Sequence, residues 1–232
     1  ALTKVDEDYP DNKLSGAVFE VYSDTNGDGK LDNDDTLLGE MKELDGGVYQ
    51  MSELRYGKYL VKETKAPTGF VLDEDVYAVS IEENGKTYTV ENKAGVGFIN
   101  AAQKGSLKIV KTSSDGKVEG FSFRVTGVDY DQTFKTDKNG EIVIEGLRIG
   151  DYTVSEVSDK ASAGYILPAD KQVTVKVNAT AIVQMHNEFR DTPKTGDDFN
   201  LGLWVSLAAL SVVGAGVLGF VGYKNRKKKK ED

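Results

Sequence analysis

One pattern is written twice along this chain, and the repeat limits the fold more than any other feature. LTKVD and LSGAVFEVY near the start return as LKIVKTSSDGKVEGFSFRV from Leu107. LRYGKYLVKETKAPTGFVL returns as LRIGDYTVSEVSDKASAGYIL, and VGFIN returns as VQMHN. Self-similarity of this kind marks one structural unit used twice in tandem. Within each copy, short segments alternate apolar and polar residues between Gly, Asp and Asn turns, and none keeps a helical period. The pattern predicts an all-β protein of two tandem β-sandwiches, over residues 1–103 and 105–190, with several short antiparallel strands each. The boundary falls near Gln103 to Gly105. Asn-Gly pairs at Asn84 and Gly85, and at Asn139 and Gly140, predict hairpin turns.

Residues 201–223 carry no charge, and residues 224–232 follow with six basic and two acidic groups. About 20 apolar residues span a bilayer as a helix. The run therefore predicts a transmembrane helix, with Trp204 and Tyr223 near its interfaces and the basic tail on the cytoplasmic side. The remaining chain is strongly acidic and lies outside the cell on this reading. That charge argues against a nucleic-acid partner. No signal peptide precedes the first strand-like segment, so the chain is expected to be the C-terminal piece of a longer precursor.

Two counts exclude whole classes of chemistry. The chain has no Cys, so disulfides, thiolate metal sites and cysteine nucleophiles are out. It has one His, His186, so paired-histidine metal sites are out, and no nucleophile elbow accompanies that His. His186 falls in the outward phase of its strand. The chain is not expected to be an enzyme.

Between the modules and the apolar run, at 191–200, stand Thr192, Pro193, Lys194, Thr195 and Gly196. Pro-x-Thr-Gly, an apolar span and a basic tail together resemble the LPXTG-type sorting signal of Gram-positive surface proteins. Thr192 replaces the usual Leu. The resemblance implies that a sortase cleaves between Thr195 and Gly196 and joins the Thr195 carboxyl to a peptidoglycan precursor or to another pilin. Membrane insertion would then be transient, since the tail is discarded.

The repeated module resembles the Cna B-type (SpaA-like) domain of Gram-positive adhesins and pilins, which has a prealbumin-like fold. GKYLVKETKAPTGF and LSGAVFEVY carry the likeness most specifically. The second copy lacks the Ala-Pro of the first at SEVSDKASAGY but keeps the Glu.

Side chains alternate faces along a strand. In the first copy, Leu2 shares a face with Lys4, Tyr59 and Val61 with Glu63, and Val96 and Phe98 with Asn100. In the second, Leu107 and Ile109 share a face with Lys111, Tyr152 and Val154 with Glu156, and Val183, Met185 and Phe189 with Asn187. A Lys, a Glu and an Asn thus fall on the core face twice. Burying such charges costs several kcal/mol each unless they are compensated. In the Cna B-type family such a trio forms an internal isopeptide bond. The resemblance implies Lys4–Asn100 promoted by Glu63, and Lys111–Asn187 promoted by Glu156. Asn92 shares the phase of Tyr88 and Val90 and competes with Asn100 for Lys4; Asn100 is preferred because it aligns with Asn187.

Residues 24–35, DTNGDGKLDNDD, place Asp24, Asn26, Asp28, the Lys30 carbonyl, Asp32 and Asp35 at positions one, three, five, seven, nine and twelve. That is the oxygen-ligand spacing of an EF-hand-type Ca2+ loop, with Gly29 at six. Asp at twelve reaches less far than Glu, and the flanks read as strands.

These features predict the stalk of a sortase-anchored adhesin at the Gram-positive cell surface, stiffened by covalent cross-links. A pilus subunit joined to another pilin, and a module that binds a host or glycan ligand, are the alternatives.

Overall fold

The computed structural model describes residues 1–190, and residues 1–189 form one compact unit. The predicted sorting signal, transmembrane helix and basic tail lie outside the described residues. Among the described residues no helix is long and apolar enough to cross a membrane.

The first module contains β1 (Leu2–Asp6), β2 (Val18–Ser23), β3 (Thr36–Glu40), β4 (Lys42–Glu43), β5 (Val48–Gln50), β6 (Gly57–Lys65), β7 (Val76–Ile81) and β8 (Phe98–Asn100). The second contains β9 (Lys104–Ser113), β10 (Ser122–Gly127), β11 (Tyr130–Lys135), β12 (Glu141–Arg148), β13 (Gly150–Val157), β14 (Tyr165–Ile166), β15 (Lys171–Val175) and β16 (Thr180–Phe189). Each module is a pair of four-stranded sheets. The orders are β4-β5-β1-β8 with β3-β2-β6-β7, and β12-β9-β16-β14 with β11-β10-β13-β15. The described residues are thus all-β, as the repeat predicted.

Period-two alternation builds both cores. Leu107, Ile109, Tyr152, Val154, Val183 and Met185 are buried together in the second module. Leu2, Phe19, Tyr49, Tyr59, Val61 and Phe98 do the same in the first. Phe19 meets Tyr49 and Phe98 edge-on, with centroids 5.2 and 5.0 Å apart. The repeat fixes equivalent ties in both copies: Tyr59 donates to the Arg55 carbonyl and Tyr152 to the Arg148 carbonyl, each at 2.8 Å. Phe189 departs from the expected face: it is 48% exposed at the strand end, edge-on to Tyr165.

Three pairings differ from expectation. First, the first and last strands of each module run parallel, β1 with β8 and β9 with β16. Second, Asn139 and Gly140 do not close a hairpin. β11 pairs with β10 and β12 with β9, so the turn carries the chain between sheets. Asp137 accepts from the Asn139 and Glu141 amides and stabilises that corner. Gly140 has φ +77°, and a Cβ there would lie 2.7 Å from the Val118 Cβ. Third, the segment after Asn84 and Gly85 forms no strand with β7. The Tyr88 hydroxyl accepts from the Glu82 and Glu83 amides, and the Tyr88 and Val90 backbone bonds instead with Ala1.

The modules meet through Arg148. Its guanidinium donates to both Asp6 carboxylate oxygens at 2.7 and 2.9 Å and to Asp8 at 2.9 Å. Lys104 pairs with Asp8 at 3.1 Å. The bidentate geometry is the strong form of such a contact. Burial pushes the Asp6 carboxyl up, but Arg148, with the Asp8 and Tyr9 amides, more than offsets it and holds it below its ordinary value.

Candidate functional site

Strand register places the polar trio in both modules by one rule. Lys4 of β1 pairs with Phe98 of β8, and Lys111 of β9 pairs with Met185 of β16. Asn100 and Asn187 stand two residues further along, hence on the same face. Across the core, Glu63 of β6 pairs with Phe19 and Glu156 of β13 with Phe123. Lys4, Glu63, Asn100, Lys111, Glu156 and Asn187 are all buried.

In the first module the Asn100 amide donates to the two Glu63 oxygens at 3.0 and 2.9 Å. The Lys4 ammonium lies 3.6 Å from Glu63 Oε1, 3.2 Å from the Phe98 carbonyl and 4.8 Å from the Phe98 ring centroid. In the second module the Asn187 amide donates to Glu156 at 2.6 Å. Lys111 donates to the Thr112 carbonyl and lies 4.3 Å from the Phe121 centroid. Apolar rings therefore pack against both amines.

Burial dominates the electrostatics. It pushes the Lys4 ammonium down to about 8, against the pull of Glu63 and Asp73. It pushes Glu63 up, against hydrogen bonds from the Asp73 and Asn100 amides and the charge of Lys4. Lys111 is lowered and Glu156 raised, again chiefly by burial. Each pair therefore shifts toward a neutral amine beside a neutral carboxylic acid. Asn100 Oδ1, Asn187 Oδ1 and Glu156 Oε2 are buried with no hydrogen-bond partner. Turning either amide over would set its Oδ1 against the Glu, where a protonated carboxyl can donate to it. That arrangement would polarise the Asn carbon beside an amine whose charged form burial disfavours.

Asn92, the competing partner for Lys4, is engaged elsewhere. Its side chain donates to the Ile99 carbonyl at 2.8 Å and to Asp73 Oδ2 at 2.7 Å, and accepts from the Ile99 amide at 2.6 Å. The structure brings together Lys4, Glu63 and Asn100. Asp73 and Tyr77 were missed by the sequence reading. Tyr77 donates to Asp73 Oδ2 at 2.8 Å, and the Asp73 amide donates to Glu63 Oε2 at 2.9 Å. Nothing in the period-two pattern marks either residue.

The 24–35 loop folds on its own side chains. Asp24 accepts from the Gly27 and Gly29 amides, Asn26 from Asp28, Asp28 from Lys30, Asp32 from Asp34, and Asp35 from Thr25 and Asp32. The Asn26 amide meets Asp32 across the loop at 3.1 Å. Lys58 donates to the Gly27 carbonyl at 2.9 Å. Among the described residues, no three acidic or histidine side chains converge as a metal-holding group. His186 is half exposed, 2.8 Å from the Thr112 hydroxyl and 3.2 Å from Glu188.

Fold and site together define a tandem prealbumin-like β-sandwich protein with one buried Lys–Glu–Asn trio per module. The chain belongs to the SpaA family of prealbumin-like fold domains, whose model matches residues 1–94 and 105–189. A solved structure of the Bacillus anthracis TIE protein is 26% identical, with a TM-score of 0.59 over 81% of this chain and 33% of that one. A C-terminal fragment of the pilus adhesin SpaC from Lactobacillus rhamnosus GG is 14% identical, covering 81% of this chain and 95% of the fragment, with a TM-score of 0.47. A minor pilin of Streptococcus agalactiae is 18% identical, covering 78% and 86%, with a TM-score of 0.35. The chain spans about a third of the length of the TIE protein structure. No curated protein sequence matches it.

Proposed function

We propose that this chain is a stalk segment of a Gram-positive surface adhesin, in which each SpaA module is closed by a Lys–Asn isopeptide bond. One observation carries the reading. Lys and Asn sit on adjacent parallel first and last strands at the same two-residue offset in both modules, with a buried Glu opposite and an orphaned Asn carbonyl oxygen. The step is a balanced amide exchange. The Lys proton moves to Glu, and the free amine attacks the Asn Cγ while the Glu hydroxyl holds Oδ1. Glu then relays a proton from the new amide nitrogen to Nδ2, the Cγ–Nδ2 bond breaks, and ammonia leaves. Holding the groups in contact can supply about 7–11 kcal/mol of the barrier. Each module reacts once on itself, so the protein is not an enzyme.

The bond would join the strands at which each module begins and ends. Tension along the chain would then pass through a covalent link that reductants do not cut. Anchoring is proposed through Thr195 by a sortase, to a peptidoglycan precursor or another pilin, with residues 201–223 as a temporary membrane stop. This rests on the order of sequence features alone, as does the proposal that residues 24–35 bind Ca2+. The intact mass of purified residues 1–190 tests the cross-links. A mass two ammonias below the sequence value supports both bonds. The full sequence mass refutes them and leaves the trios as buried polar clusters.

A further inference from the structure

The two modules hold their reacting Asn by different means. In the second, Asn187 lies near the end of the ten-residue β16, which is registered against β9 from Thr180 to Asn187. In the first, β8 has only three residues, and three registered pairs hold it to β1. An irregular stretch replaces the upstream part of that strand. Thermal displacement of Asn100 would be correspondingly larger, because fewer backbone bonds restrain it.

The space beside β8 is filled by a side chain acting as a strand. Asn92 presents a donor and an acceptor to the Ile99 backbone, as a neighbouring strand would, and Ile99 immediately precedes Asn100. The same amide donates to Asp73 Oδ2. Asp73 Oδ2 also accepts from Tyr77, whose ring packs edge-on against Phe98 at 5.0 Å. The Asp73 amide in turn holds Glu63 Oε2. Asn92, Asp73 and Tyr77 thus link the Glu63 carboxylate to the backbone that carries Asn100. In the second module, by contrast, Glu156 Oε2 has no partner.

We propose that Asn92, anchored by Asp73 and Tyr77, is a positioning residue for cross-linking in the first module, substituting for the long strand that aligns Asn187 in the second. The proposal rests on the isopeptide reading. It assigns Asn92 a role through Asn100 rather than as a partner of Lys4. Misplacement of a reacting group by about 1 Å can cost a hundredfold in rate. Loss of the clamp is therefore expected to slow the first module by roughly ten- to a hundredfold and to leave the second unchanged.

The second module is an internal control. Residues 1–190 of the parent, Asn92→Ala and Asn92→Asp proteins are made by cell-free synthesis. Branched peptides joining Lys4 to Asn100 and Lys111 to Asn187 are followed against time by mass spectrometry of digests. Hydrogen exchange of the β2 and β6 amides establishes that the first module has folded. Asn92→Asp keeps the acceptor for Ile99 but sets a second carboxylate against Asp73, whose own carboxylate accepts from Tyr77 and the Asp75 amide and whose charge acts on Glu63 and Lys4. A proton shared by the two carboxylates restores the contact with Asp73, though not the bond to the Ile99 carbonyl, as pH falls, so the ratio of variant to parent rate should rise. That recovery separates positioning from simple loss of folding. Slow first-module linkage in both variants with a normal second module supports the proposal, as does the pH recovery. First-module linkage at the parent rate in folded Asn92→Ala overturns it. Absence of both branched peptides in the parent overturns the isopeptide reading itself.

Discussion

The first module meets its chemistry with a three-residue closing strand and a network of side chains, and the second meets it with a ten-residue strand. Both nevertheless present Lys, Glu and Asn in one register. The comparison teaches that the trio, rather than the length of the strand bearing it, is what the module keeps. It also separates two tasks. Burial on the facing sheets tunes the amine and the acid, whereas restraint of the last strand aims the amide.

The sharpest break in the comparison comes from removing the reacting groups one module at a time. Lys111→Met should prevent ammonia loss in the second module alone, and Lys4→Met in the first alone. By analogy with loop closure by a disulfide, each change should lower the stability of its own module by about 4–5 kcal/mol. Urea denaturation followed by module-specific hydrogen exchange measures this. Equal destabilisation of both modules by either change would break the claim of independent closure.

Core substitutions sharpen it next. Phe19→Ala and Phe123→Ala should each cost about 3–5 kcal/mol. Phe19→Ala should lie at the upper end, because Phe19 has edge-on contacts with both Tyr49 and Phe98. Thermal unfolding of the two variants gives the order. The module junction comes third. Arg148→Ala strips the buried Asp6 of its cationic partner, leaves Asp8 only Lys104, and should cost about 2 kcal/mol. Because Asp6 titrates below its ordinary value of 3.8 when folded, its contribution is present above 3.8 and fades as pH falls through the lower folded value. Arg148→Ala should flatten that part of the stability–pH curve measured by denaturant titration. The smallest effect concerns the loop found only in the first module. If residues 24–35 bind Ca2+ with an affinity of the extracellular kind, saturating Ca2+ should stabilise that module by about 1–2 kcal/mol. Calorimetry should register heat that Asp24→Ala abolishes, and absence of heat with the parent protein would remove the proposal.

Much of the site was legible because a strand's period is two. Lys4 follows Leu2 and Lys111 follows Ile109, so the inward phase of each amine can be counted without knowing its neighbours. The same counting misled at Phe189, where the strand runs past the core, and left Asn92 in competition with Asn100. Phase says which face a residue takes only while the segment stays a strand. Around Asn92 the backbone leaves the sheet and the side chain takes over its hydrogen bonding. The Asn-Gly turns were readable as turns, but their partners were not. Turn chemistry fixes local φ, whereas the choice of sheet depends on residues far away, such as the Lys111 and Val118 atoms that crowd Gly140. The parallel pairing of first and last strands is likewise a long-range fact. It alone brings each Lys beside its Asn.

The central claim is that each module is covalently closed between its first and last strands. Fragmentation mass spectrometry of digested residues 1–190 tests it most directly. The account predicts branched peptides joining Lys4 to Asn100 and Lys111 to Asn187, each short of one ammonia. Linear peptides alone, with all four side chains unmodified, would contradict it.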